Sequence, residues 1–392
     1  MARQLPLFPV TVVGSWPRSE KVLRALSAKR AGRLGRDEFQ AVADEAVLHV
    51  LRLQEQAGVD VVSDGEQRRD NFIAFVADKL ENVRMLTLAE LLDYIQDKSA
   101  FEEILGSLDV PAFSMVNPAA TGPIRRREPL ALDEYTFLRR HTDRAIKVAL
   151  PGPYLLTRSM WVEGLSEATY PTKEDLAEDV VRVLREELLE LQQAGVDFVQ
   201  FDEPVLTELV FTKRIASRTF MCGALSARRD AAEELELAVH LINRVVEGVS
   251  GVRIGLHVCR GNWSTQEEVL LEGSYEPLAP YLDRMMVDQL VLEFATPRAG
   301  GLEWLAGRPQ REIGLGVVNP RTPEVESPER IVERVKEALA HYPAERVFLN
   351  PDCGFATFSN RPMNDEETAV AKLRAMVEAA ATLRASVPSP SR

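Results

Sequence analysis

His257 and Cys259 in Gly-Leu-His257-Val-Cys259-Arg, and Cys353 in Asn-Pro-Asp-Cys353-Gly, are residue types that bind soft metal ions. The chain holds three cysteines and five histidines, and three of these eight residues each follow a short apolar run that reads as a strand. Residues i and i+2 of a strand point to the same side, so His257 and Cys259 can reach one ion together. Glu293 ends the next apolar run, residues 289–292. An imidazole, two thiolates and a carboxylate make a tetrahedral zinc (Zn2+) site whose oxygen ligand an incoming thiol could displace. Zinc holds such a thiol as its thiolate at neutral pH, and the thiolate is the nucleophile. The His-x-Cys pair alone also reads as strand-end packing; Cys353 and Glu293 at neighbouring ends favour a metal.

Glu66 and Asp202 are the next candidates, each just past an apolar run. Two such carboxylates either grip an ammonium group, act as acid and base, or make salt bridges with Arg68, Arg69 or Arg18. Met160 and Trp161 follow the Pro151-Gly-Pro153 turn and either line an apolar pocket or simply pack. Cys222, in Phe-Met-Cys222-Gly-Ala, reads as a buried small hydrophobe. The other four histidines read as ordinary helix or surface residues.

Eight apolar runs must carry these groups: residues 11–15, 59–64, 146–150, 196–201, 252–256, 289–292, 312–317 and 346–350. Near-continuous apolarity is expected of parallel strands buried on both faces. Amphipathic helical patterns lie between them, the clearest opening at Thr172 with Glu174 and Asp175 in its first turn and stopping near Gly195. One stretch echoes another. Leu53-Gln-Glu-Gln-Ala-Gly58-Val-Asp-Val-Val62 leads to Asp64 and Glu66, and Leu191-Gln-Gln-Ala-Gly195-Val-Asp-Phe-Val199 leads to Asp202 and Glu203. A repeated βα unit has this form. The pattern predicts an α/β fold, a (β/α)8 TIM barrel in one domain over residues 1–384. A helical insertion is expected after the second strand, at about residues 81–127, with a strand-like piece at 113–116. A disordered tail is expected at 385–392. No Gly-x-Gly-x-x-Gly loop follows any strand. In such a barrel the C-terminal strand ends converge on one face, where chemistry collects.

A net charge of −13 repels phosphates, which argues against nucleic acid or an anionic membrane surface as partner. No apolar run approaches the ~20 residues that cross a bilayer. An odd, low cysteine count fits a reducing compartment, and a cytoplasmic protein is expected, with a homo-oligomer possible.

The chain resembles the cobalamin-independent methionine synthases, specifically their catalytic barrel in a short, core form. The resemblance covers nearly the whole chain and rests on Val13-Gly-Ser-Trp-Pro17, Asp64-Gly-Glu-Gln-Arg-Arg-Asp70, Gly152-Pro153, Gln200-Phe-Asp-Glu-Pro204, His257-Val-Cys259, Leu292-Glu293 and Asn350-Pro-Asp-Cys-Gly354. It implies zinc on His257, Cys259, Glu293 and Cys353. It also implies homocysteine on Ser15, Glu66 and Asp202, with the two acids on its ammonium. Two positions depart. Where folate-using members have a pterin-stacking tryptophan, this chain has Ser159, with Trp161 two residues later as the substitute candidate. Where the family has a proton-donating histidine, Arg321 stands in Val318-Asn-Pro-Arg321. Arginine stays protonated and is a poor acid. Arg321 therefore joins Glu66 and Asp202 as a catalytic position, and the methyl donor is either methyl-tetrahydrofolate, or methylcobalamin or a corrinoid protein, whose leaving group needs no proton. The product is methionine. Two alternatives remain. One is a zinc alkyltransferase acting on another thiol, such as coenzyme M, whose sulfonate would want Arg18, Arg68, Arg158, Arg260, Arg298 or Arg321. The other is a non-catalytic zinc- or thiol-binding barrel.

Overall fold

A seven-stranded parallel sheet organises the chain. In the computed structural model, which describes residues 3–91, 93–94, 116–211, 230–308 and 310–386, its strands are β1 (Val61–Val62), β4 (Ala145–Pro151), β5 (Phe198–Asp202), β6 (Arg253–Val258), β7 (Gln289–Leu292), β8 (Glu312–Val318) and β9 (Val347–Pro351). They neighbour one another in sequence order. Every residue of β4, β5, β7 and β9 is buried, as the uninterrupted apolar runs require.

The first two expected strands are shorter than the sequence suggested. Residues 59–64 reduce to the two-residue β1, and residues 11–15 form no strand. Val10 instead makes an isolated parallel bridge to Leu349 of β9, and Thr11 one to Val61 of β1. Thr11 N donates to the Leu349 carbonyl (2.9 Å) and Val61 N to the Val10 carbonyl (3.1 Å), so this segment lies between the two edge strands.

The echoed unit recurs in three dimensions. The helix Arg36–Ala57 ends at Gly58 (φ 91°), and the helix Lys173–Gln193 is followed by Gly195 (φ 82°). Both glycines take the left-handed conformation that suits them at a helix stop. The aspartate two residues on then does the same work in each copy. Asp60 accepts from Val10 N (2.8 Å) and Asp197 from Ile146 N (3.0 Å). Asp288 repeats the bond to Ile254 N (2.7 Å). Each carboxylate thus satisfies an amide of the preceding strand at the end opposite the candidate ligands. At the other end of the helix Lys173–Gln193, which opens at Thr172 as expected, Thr172 and Asp175 form a capping box.

Between β7 and β8 the described residues form only 3-10 turns, so this connection lacks the helix that strict alternation would place there. The expected helical insertion also takes a different form at its ends. Leu80–Thr87 (β2) pairs antiparallel with Val116–Arg126 (β3), and among the described residues between them the helix is Leu88–Leu91. Residues 113–115 of the expected strand-like piece, and Cys222, lie outside the described residues. So do residues 387–392 of the expected tail, whereas Ala385 and Ser386 complete the helix Glu366–Ser386.

One buried carboxylate ties the hairpin to the sheet. The helix Leu132–Arg139 has no side-chain cap of its own. Glu187, on the helix Lys173–Gln193, instead accepts from the amides of Leu130 (2.6 Å), Ala131 (2.8 Å) and Leu132 (3.0 Å) and from Arg126 of β3. Glu187→Leu is expected to strand these donors and lower unfolding free energy by about 3–5 kcal/mol, measured by denaturant titration. Glu187→Gln should fall between the two.

Candidate metal centre

Three of the expected ligands meet. His257 lies within β6, Cys259 just past it and Cys353 just past β9, and their ligand atoms all lie within 4.8 Å of one another. A tetrahedral zinc with bonds of ~2.0–2.3 Å would hold such atoms about 3.5–3.8 Å apart, so small side-chain adjustments suffice. The His257 ring is already oriented for this. Its Nδ1–H donates to the Val291 carbonyl (3.1 Å), while buried Nε2 has no hydrogen-bond partner. A backbone acceptor on one ring nitrogen fixes the tautomer that leaves the other free to ligate.

The sulfurs share charge in the same spirit. A hydrogen bond from Cys353, with His257 beside it, draws the Cys259 thiol down to about 5 despite burial. The Cys353 thiol is pushed up because it is the donor of that bond. Burial alone would lower His257, but Cys259 and Asp202 raise it to about 9. A metal bound here would displace the thiol protons and any proton on Nε2. The donor set and its orphaned nitrogen fit a divalent soft metal.

Glu293, the expected fourth ligand, is not within that group of ligand atoms. It is held by a cage of arginines. Oε1 accepts from Arg321 Nη1 (3.0 Å) and Arg298 Nη2 (3.1 Å), while Oε2 accepts from the Arg260 amide and lies 3.7 Å from Arg260 Nη1. Burial would raise this carboxyl, but the guanidiniums of Arg298, Arg321 and Arg260 bring it down to about 2. Arg321 pairs in turn through Nε with Glu267 (3.0 Å), and its Nη2 lies 3.5 Å from Asp352. Tyr275 ties the cage to the strands: its hydroxyl donates to the Val258 carbonyl and accepts from Glu293 N (3.0 Å).

The three clustered ligands open onto a cavity that Ser15, Glu66 and Asp202 also line. Glu66 holds a left-handed backbone (φ 54°), steadied by its amide on Asp64 (2.9 Å) and by Arg18 on its carbonyl (2.7 Å). A non-glycine residue there is strained, a condition that recurs at functional sites. Its Oε2 is buried without a partner. Burial raises the Glu66 carboxyl and lifts Asp202 to about 7, with Glu66 adding to the latter. The arginines that might have neutralised them are engaged elsewhere. Arg69 pairs with Glu134 (2.6 Å) and Arg68 with Asp44, and Arg18 bonds backbone carbonyls. Two buried acids facing one cavity call for a cationic ligand.

Trp161 and Arg321 do not line this cavity. The half-buried Trp161 turns its indole N–H to the Tyr170 carbonyl (3.0 Å). Ser159 is buried. The sequence reading omitted Phe72, Asn262, Trp263, Thr357 and Phe358 from the cavity wall. Only Asn262 and Trp263 had a local signal, directly after the His-x-Cys strand. It also grouped Glu203 with Asp202, but the Glu203 carboxylate accepts from Tyr154 N (2.7 Å) and Leu155 N (2.9 Å), capping the helix Pro153–Met160. A Cβ at Gly152 would overlap that carboxylate, which explains the glycine there.

Residues 8–382 match the family described as the cobalamin-independent synthase catalytic domain. The chain is 31% identical over 360 residues to a methionine synthase of Thermococcus kodakarensis, covering 91% of this chain and 90% of that one. It is 30% identical over 383 residues to one of Pyrococcus furiosus, covering 97% and 94%. Among solved structures, a B12-independent methionine synthase from Shewanella sp. in complex with selenomethionine shares the fold at TM-score 0.72 and 22% identity, covering 97% of this chain and 98% of that one.

Cys259→Ser and Cys353→Ser each replace a soft ligand with a hard one and are expected to weaken zinc retention by about 100-fold or more. Atomic emission on the dialysed proteins reads this directly. Stoichiometric zinc in both variants would refute the ligand assignment.

Proposed function

The chain belongs to the cobalamin-independent synthase family as a catalytic domain, and from that membership we propose that it transfers a methyl group to the thiol of homocysteine, releasing methionine. It is a methyltransferase. The observation that carries the substrate is the cavity itself, where a soft-ligand cluster and two unpaired buried acids share one wall. A thiol and an ammonium on one small molecule match those two ends.

We read the frame as a closed (β/α)8 barrel, supported by the bridges that Val10 and Thr11 make to the two edge strands. The metal is proposed to be zinc, on His257, Cys259 and Cys353, with Glu293 as the weak fourth ligand. When bound, zinc would supply the Lewis acidity that lowers the pKa of an incoming thiol. The chain's own residues do the rest. Glu66 and Asp202 hold the ammonium, and Ser15 flanks them. The Arg260, Arg298 and Arg321 guanidiniums withdraw charge from Glu293, which keeps it a poor competitor for the thiol. The substrate sulfur then attacks the methyl carbon in line, and the bond to the donor breaks with its electron pair leaving on the donor. The thiol proton passes to solvent.

Arg321 bears on the donor. Its N–H groups face Glu293, Glu267 and Asp352, and so many carboxylates raise its already high pKa further. It cannot protonate a leaving folate nitrogen. Trp161 likewise does not face the cavity. Both points favour a methyl-corrinoid donor over methyl-tetrahydrofolate. That donor would be a substrate, which is compatible with a family named for carrying no cobalamin of its own. The coenzyme M reading finds little support, because Arg18, Arg68, Arg158, Arg260, Arg298 and Arg321 are absent from the cavity wall.

Purified zinc-loaded protein given homocysteine with methylcobalamin is expected to form methionine, and with methyl-tetrahydrofolate to form none; the reverse outcome sinks the donor assignment. Asp202→Asn should weaken homocysteine binding about tenfold, the loss of one charge-assisted bond, and leave zinc content unchanged. Unaltered thiol affinity in calorimetry would count against the ammonium role.

A further inference from the structure

One buried amide oxygen at the cavity has no hydrogen-bond donor among the described residues. Asn262, 3% exposed, lies on the loop after β6, three residues beyond Cys259, and lines the cavity. Both protons of its amide nitrogen are used: Nδ2 donates to the Gly354 carbonyl (2.7 Å) and to Thr357 Oγ1 (2.7 Å). A carbonyl can only accept, so the nitrogen must face Gly354 and the amide orientation is fixed. Oδ1 is therefore turned away from Gly354, and it has no donor among the described residues. A buried amide oxygen left unpaired is costly, a penalty that a ligand with an N–H would remove.

The wall between Asn262 and the buried acids is continuous. Gly354, which receives the Asn262 bond, packs so tightly on Ser15 that a Cβ there would sit 2.0 Å from Ser15 Oγ. Phe355 N donates to the Ser15 carbonyl (2.9 Å). Gly14, beside Ser15, packs equally tightly on Glu66 Oε1, where a Cβ would approach to 2.3 Å. Glu66, Ser15, Cys353, Gly354 and Asn262 all line the cavity. A primary ammonium has three N–H donors, and two carboxylates leave one of them without a partner.

We propose that Asn262 Oδ1 is the third acceptor for the substrate's primary ammonium, completing a set with Glu66 and Asp202 that selects amino thiols over thiols lacking the amine. This rests on the cavity being a site for homocysteine. A neutral third acceptor completes the hydrogen bonding without adding a third negative charge to a buried pair that already repels itself.

The test is calorimetric titration of the zinc-loaded protein with homocysteine and with 4-mercaptobutyrate, its analogue without the amine. Asn262→Leu is expected to weaken homocysteine about tenfold (1.4 kcal/mol) and to leave 4-mercaptobutyrate unchanged. Asn262→Gln, which keeps a neutral amide oxygen and its N–H donors, should lose less homocysteine affinity than Asn262→Leu. Unchanged homocysteine affinity in Asn262→Leu, or equal losses for both thiols, overturns the assignment while the wild-type titration still upholds the substrate. Failure of the wild-type protein to bind homocysteine overturns both.

Discussion

Register between β5, β6 and β7 is the constraint on which the site depends. Asp202 pairs with His257, and His257 pairs with Val291. The first pairing sets a cavity acid beside a metal ligand. The second puts the Val291 carbonyl under His257 Nδ1 and so leaves Nε2 free. In a parallel sheet a one-residue slip would turn each of these side chains to the opposite face. The aspartates at the far strand ends oppose such a slip. Asp60, Asp197 and Asp288 each bond an amide of the strand before them, pinning the sheet at the rim where no chemistry happens.

Charge is handled in two contrasting ways within a short span of chain. Glu293 is surrounded by guanidiniums and stays ionised, its carboxyl held near 2. Asp202 is equally buried but has no basic partner in a salt bridge, and burial carries it to about 7. The same functional group is quiet where its countercharge is built in and hungry where it is not. Binding sites are places where the second arrangement is tolerated because a ligand completes it.

Much of this was legible in the sequence, for physical reasons that can be named. Strands buried on both faces leave continuous apolar runs, so β4 through β9 of the main sheet fell close to their expected positions. Ligands at i and i+2 on one run, with Cys353 after another, signalled the cluster because parallel strands bring their ends together. The repeated Ala-Gly-Val-Asp signalled a repeated unit, although the latch made by its aspartate emerged only in three dimensions. The first strand was overestimated because residues 11–15 are apolar for packing rather than for pairing. The pairing of β2 with β3 went unforeseen because Arg84, Asn117, Pro118 and Gly122 dilute their strand character. Glu293 looked like an ordinary acid at a strand end. Its arginine cage draws on residues 260, 298 and 321, whose convergence no local pattern announces. Asn262 stands close behind the His-x-Cys strand, but what sets it apart, an oxygen without a donor among the described residues, is no property of sequence.

The two ends of the described chain are sewn together by one residue. Arg384, near the close of the helix Glu366–Ser386, donates to the Leu7 carbonyl (2.6 Å), the Phe8 carbonyl (3.1 Å) and Asp60 (2.8 Å). Leu7 and Phe8 precede the segment that bridges the edge strands, so this stitch lies at the base, across the sheet from the reactive rim. A tether, surface anchor or reporter attached beside Arg384 or Leu7 would therefore hang beneath the molecule and leave the mouth of the cavity open.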